Sequence, residues 1–152
     1  MTDLVAWLRE QIDEDERAAR AASPGGWTYG DVDSVAGGSL YDETRMIGSL
    51  HYEQPRDHDG SIVRHLLSHE ADANGQHIAR HDPARVLAEV AAKRELLLAY
   101  NSAVIDEGLF HRQTDSVAYH QAVARMSAWT YVVQQLAQPY VGRPGWRKEW
   151  VT

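Results

Sequence analysis

Residues 82–105 read DPARVLAEVAAKRELLLAYNSAVI and carry a strong helical signal. Asp82 offers an N-cap oxygen, and Pro83 brings a preset φ to the first helical position. Val86, Leu87, Val90, Leu97, Tyr100 and Val104 then make an apolar face through to about Ile105, and Glu107-Gly108 ends the helix. A second helix is expected over roughly Ser116 to Gln138, with Val117, Val123, Trp129, Val132, Val133 and Leu136 available for burial and Pro139 as its stop. Joined by residues 106–115, the two predict an antiparallel hairpin.

Upstream, Leu4, Leu8 and Ile12 recur at four-residue spacing with Val5 beside them, so the chain opens with an amphipathic helix that Thr2 or Asp3 can cap. Ser23-Pro24-Gly25-Gly26 stops it. Residues 27–60 are different: Trp27, Tyr29, Val32 and Val35 among glycines and aspartates read as short strands and turns, Gly37-Gly38-Ser39 as a turn, and Arg45–Tyr52 as a further strand. Residues 61–69, SIVRHLLSH, fit neither the helical nor the strand period, and Asn74-Gly75 reads as a helix break or start. The expected fold is therefore α+β, one domain over residues 1–152: an N-terminal amphipathic helix, a small antiparallel sheet from about 27 to 68, then two long antiparallel helices and a packed C-terminal tail. An all-helical domain with a long structured insertion is the alternative.

The composition of the 152 residues narrows the functional classes. Apolar residues are 43% and charged residues 24%, the soluble globular norm. No apolar run approaches the roughly 18 residues that span a bilayer, and MTDLVAWLREQIDEDE turns acidic too soon for a secretory signal or transit peptide. With no cysteine there is no disulfide, thiolate metal site or Cys nucleophile, and a reducing cytoplasm is the simplest setting. The net charge of −7 is uneven: −8 over residues 1–60, −2 over 61–108 and +3 over 109–152. This argues against nonspecific duplex binding and lets an acidic head meet a basic tail, within one molecule or between subunits of a homo-oligomer.

Three blocks carry a resemblance: DLVAWLREQIDEDERAARAA followed by SPGGW, HIARHDPARVLAEVAAKRELL at residues 77–97, and QLAQPYVGRPGWRKEW at 135–150. Together they resemble an actinobacterial and actinophage family of small proteins of unassigned function. More loosely, the chain is similar to phage accessory proteins that join a Pro-Gly-x-Trp turn to an Asp-Ala-x-x-Ile-Ala helix, although Asp72-Ala73 stands farther from Ile78-Ala79 than that pattern has it. Many relatives of the first kind carry cysteines before the last block and this chain has none, so no metal role of those cysteines transfers. The resemblance implies a phage or prophage setting and assigns no catalytic residue.

Four of eight histidines, His65, His69, His77 and His81, fall within seventeen residues. His65/His69 and His77/His81 have the i,i+4 spacing with which two imidazoles on one helix face grip one ion. His69, His77, His81 and Asp82 are the candidate ligands for a divalent transition metal, with a metal-dependent hydrolase as the corresponding activity. In one continuous helix His65 and His81 would stand about 24 Å apart, so a four-ligand site needs a chain reversal near Asn74-Gly75. The competing structural account has Asp82 as a helix cap, with His81 beside that turn and His77 and Arg80 fixing the approach of the segment before it. No GxSxG elbow, Walker loop or GxGxxG appears.

The C-terminal part is rich in aromatic and basic residues. Trp129, Tyr140, Arg143, Trp146, Arg147 and Trp150 are candidate interaction residues, because tryptophan and arginine are enriched at interface hot spots. The alternative is that the tail folds back and closes a small core. The favoured functional reading is a non-enzymatic cytoplasmic accessory protein that binds a host or phage protein, without a cofactor. A metal-binding protein or hydrolase is second, and a DNA-associated regulator third.

Overall fold

The computed structural model describes residues 2–30, 39–42, 46–49, 73–111 and 116–150. In chain order these form α1 (Thr2–Ala21), β1 (Thr28–Gly30), β2 (Ser39–Tyr41), β3 (Met46–Ser49), α2 (residues 73–80), α3 (Pro83–Phe110) and α4 (Val117–Ala137). Two short 3₁₀ turns follow, at Gln138–Tyr140 and Lys148–Trp150. The expected α+β architecture is the observed one. Residues 61–69 lie outside the described residues, as do Arg45 and residues 50–52 of the expected strand Arg45–Tyr52. Two compact units emerge, one of Met1–Glu16 with Glu89–Thr152, the other of Arg17–Ala88.

In the first unit, Leu4 and Leu8 of α1 are fully buried and Ile12 is 1% exposed, as their four-residue spacing requires. Val90, Leu97, Tyr100 and Ala103 of α3 and Ala122, Val133 and Ala137 of α4 complete the core. The two long helices run antiparallel. Arg125 bonds Asp106 at 2.7 Å near their junction, and Lys93, further back along α3, reaches Tyr140 just past the end of α4 at 2.8 Å. Ser116 caps α4 from extended backbone, its hydroxyl accepting from the Tyr119 N–H at 3.1 Å. Pro139 cannot continue the α-helical ladder, and the chain tightens there into the first 3₁₀ turn.

Periodicity located these helices but not every buried position. Val104, Val117 and Val123, all expected to be available for burial, are 38%, 73% and 36% exposed. Thr2 and Asp3, expected as caps, lie inside α1.

In the second unit, β1, β2 and β3 make an antiparallel sheet in chain order. Tyr29 is opposite Leu40, Leu40 is opposite Gly48, and an irregularity interrupts the β2–β3 register between Leu40 and Tyr41. Ser39, expected in a turn, is instead the first residue of β2, buried and paired with both Gly30 and Ser49. Asn74-Gly75, read as a helix break or start, lies at the beginning of α2 as described, and a Cβ at Gly75 would run into the Tyr29 ring. The glycine lets the β1 tyrosine lie against the α2 backbone, a close approach that helix propensity alone would not have selected.

Candidate functional site

The histidine-bearing turn connects α2 to α3. Pro83 disfavours helical backbone at Asp82, so α2 closes before it. The His81 N–H bonds the Ile78 carbonyl at 3.0 Å, a tightened i,i+3 turn, and the His77 carbonyl takes the His81 ring nitrogen Nδ1 at 2.8 Å instead. The two exposed imidazoles lie 4.2 Å apart between ring centres, tilted by 41°. Asp82 is committed elsewhere: Oδ1 accepts from the Arg85 N–H at 2.7 Å, and Oδ2 accepts from the Trp27 N–H at 3.4 Å. Its first bond is the N-cap read from the sequence. Its second pins the segment that follows α1, where Trp27 also donates its ring N–H to the Ser23 carbonyl at 3.1 Å. The Arg85 guanidinium closes the turn on the Arg80 carbonyl at 3.2 Å.

Of the proposed ligands, the structure brings His77 and His81 together and holds Asp82 in the cap, while His69 lies outside the described residues. Among the described residues, no group of three or more His, Cys, Asp or Glu is placed to hold a metal ion.

The aromatic tail belongs to the first unit and packs along α1. Trp7, 7% exposed, donates its ring N–H to the Pro144 carbonyl at 2.9 Å and has Trp146 and Trp150 at 5.4 and 5.2 Å and Tyr140 at 6.4 Å between ring centres. Gly145, at φ 82°, carries the chain past this indole, whose Nε1 a Cβ would meet at 3.0 Å. Tyr140, 2% exposed, donates its hydroxyl proton to Asp15 Oδ2 at 2.7 Å and accepts from Lys93 Nζ at 2.8 Å. Arg143 bonds Asp15 Oδ1 at 3.0 Å while stacking 4.7 Å over the Tyr140 ring, and Arg147 meets Asp3 at 3.4 Å. Burial, then the Asp15 hydrogen bond, raises the Tyr140 hydroxyl above the usual phenol range, so the group holds its proton and serves as a donor.

The acidic head and basic tail thus pair within one chain. Trp150 and Tyr140 are buried, Trp146, Trp129 and Arg143 are half-buried, and Arg147 is exposed. Sequence reasoning passed over Trp7 and Gln11 on α1 and placed Asp15 only within the acidic head. Their signal was present: Asp3, Trp7, Gln11 and Asp15 recur every four residues, directly beside the leucine stripe, and Gln11 is 7% exposed.

Two further strips face away from the core of this unit. On α3, Ala91, Leu98 and Ile105 recur every seven residues with Leu109 beside them, and on α4 Val117, Ala124 and Tyr131 do the same; all are exposed. Among the described residues, no helix is long and apolar enough to cross a membrane. No curated protein and no solved structure matches the chain. The model of a family of unknown function, DUF6221, matches residues 1–152, and the chain belongs to that family.

Proposed function

We propose that this protein works by binding another protein rather than by catalysis, and that the contact lies on the outward strips of α3 and α4. The observation that carries the reading is the exposure of Leu98, Ile105 and Leu109, at 57%, 62% and 68%, along one side of α3. Single exposed apolar residues are ordinary, but three within about 40° of one another around a helix form a strip that a partner's helix or groove can cover. Tyr131 at 62% and Val117 at 73% repeat the pattern on α4. The resemblance of residues 77–97 and 135–150 to actinobacterial and actinophage proteins supports a cytoplasmic accessory role in a phage or prophage, with a host or phage protein as partner. The tail residues support this surface indirectly by holding α1 against the helices that bear it.

A photoreactive residue at Ile105, and separately at Tyr131, tests the proposal in host cells. The expected result is one discrete adduct, lost when Leu98 and Leu109 are both changed to glutamate in a chain that still unfolds at the wild-type temperature. An adduct of twice the chain's mass identifies the partner as a second copy. Absence of any adduct from both positions overturns the reading.

A further inference from the structure

We infer that His77 and His81 form a two-histidine chelate for a divalent transition metal ion of the zinc, nickel or copper class, without Asp82 as a ligand. The proposal rests on the α2–α3 turn and is independent of the protein-binding strips.

The argument begins with the hydrogen bond of His81. Its Nδ1 faces the His77 carbonyl at 2.8 Å, and a carbonyl can only accept, so Nδ1 carries the proton and, in the neutral ring, Nε2 carries the lone pair. A backbone carbonyl holding the far nitrogen of an imidazole is the arrangement that orients metal-binding histidines and fixes their tautomer. Here the helix end supplies it without any metal. The second ligand is within reach. Two imidazoles on one tetrahedral ion, with metal–nitrogen bonds near 2.0 Å, place their ring centres about 5 Å apart. His77 and His81 stand at 4.2 Å, and the His77 ring is exposed, so rotation about its side-chain bonds supplies the difference while His81 keeps its bond to the carbonyl.

Asp82 is the nearest carboxylate in sequence, but binding an ion would cost it the cap to Arg85 and the bond to Trp27. Imidazole-only ligation selects borderline transition metals over magnesium and calcium. Water fills the remaining positions, which leaves the ion open to one further donor.

Calorimetric titration of the 152-residue chain with Ni²⁺ and with Zn²⁺ tests this, using His77→Ala, His81→Ala and Asp82→Ala. His77→Ala is the decisive variant, because it removes one ligand and keeps the carbonyl that holds His81, so its metal-free unfolding temperature should equal the wild type's. The expected result is one site in the wild type, weakened on the order of a hundredfold in either histidine variant and unchanged in Asp82→Ala. In ¹⁵N spectra of the histidines, Ni²⁺ or Zn²⁺ should move the Nε2 signal of His81 and leave Nδ1 protonated. Equal binding by wild type and His77→Ala overturns the assignment, as does loss of binding in Asp82→Ala with both histidines intact.

Discussion

The tail and the outer faces of the two long helices invert each other's appearance. The tail, with Trp146, Arg147 and Trp150 among glycines and prolines, has the composition of a binding surface, yet Trp150 is 8% exposed and the indoles close on Trp7. The helices α3 and α4, with leucine, isoleucine and valine at helical spacing, have the composition of a core, yet Ile105, Leu109 and Val117 are each more than 60% exposed. A side chain's chemistry says how much it gains by burial; what lies across from it decides whether burial happens. The tail's guanidinium groups found partners on α1 at Asp15 and Asp3, and its Pro144 carbonyl accepts the ring N–H that Trp7 donates from α1. The leucines on the far side of α3 have none of α1's buried stripe left to meet, because Leu4, Leu8 and Ile12 are already covered.

The largest expected effect tests the inward half of that contrast. Trp7→Ala removes the ring on which three tail aromatics rest and the donor to Pro144, and should destabilise the protein by about 3–5 kcal/mol in urea unfolding. A loss below about 1 kcal/mol would mean that the tail holds without its α1 anchor. Next, Tyr140→Phe keeps the ring but strips Lys93 and Asp15 of a shared partner, at a cost of about 1–3 kcal/mol. The same hydroxyl gives a pH signature. Its folded pKa is raised, so the unfolded chain releases that proton first, and stability is retained below about pH 10 and falls as pH climbs above it. Burial raises Tyr100 in the same sense, so the alkaline decline should become shallower in Tyr140→Phe without vanishing.

A smaller effect belongs to the seam's solvent edge. Arg147→Ala breaks the pair with Asp3, whose side chain is 71% exposed, and should cost at most about 1 kcal/mol, less in high salt. The smallest is the sharpest counterpart of the first: Leu109→Ser, on the outward strip, should leave the unfolding midpoint within about 0.5 kcal/mol of wild type. A large loss there would show that the strip is covered within the chain.

Much of this architecture was legible because it rests on local signals. Asp82-Pro83 states both where α3 starts and how it is capped, and the leucine spacing of α1 names three of the most buried residues in the molecule. Positions governed by a distant neighbour were opaque. Gly75 looked like punctuation because nothing in its vicinity announces the Tyr29 ring, and Ser39 looked like a turn because its two strand partners are nine and ten residues away. The candidate sites divide the same way. The His77/His81 pairing follows from helical spacing alone, whereas the fate of Asp82's second oxygen depended on Trp27, fifty-five residues earlier. Val117 and Val123 were misjudged because a helix of mixed apolar sides offers more than one stripe, and choosing among them requires the partner helix.

The bond from Trp7 to Pro144 also bears on how the protein is made. It joins positions 137 residues apart. At cellular elongation rates α1 leaves the ribosome on the order of ten seconds before the residues that will cover its indole face have been polymerised. Through that interval a helix bearing Leu4, Trp7 and Leu8 is exposed to every chaperone and neighbouring nascent chain, and a ribosome stalled before Pro144 would release a product unable to close.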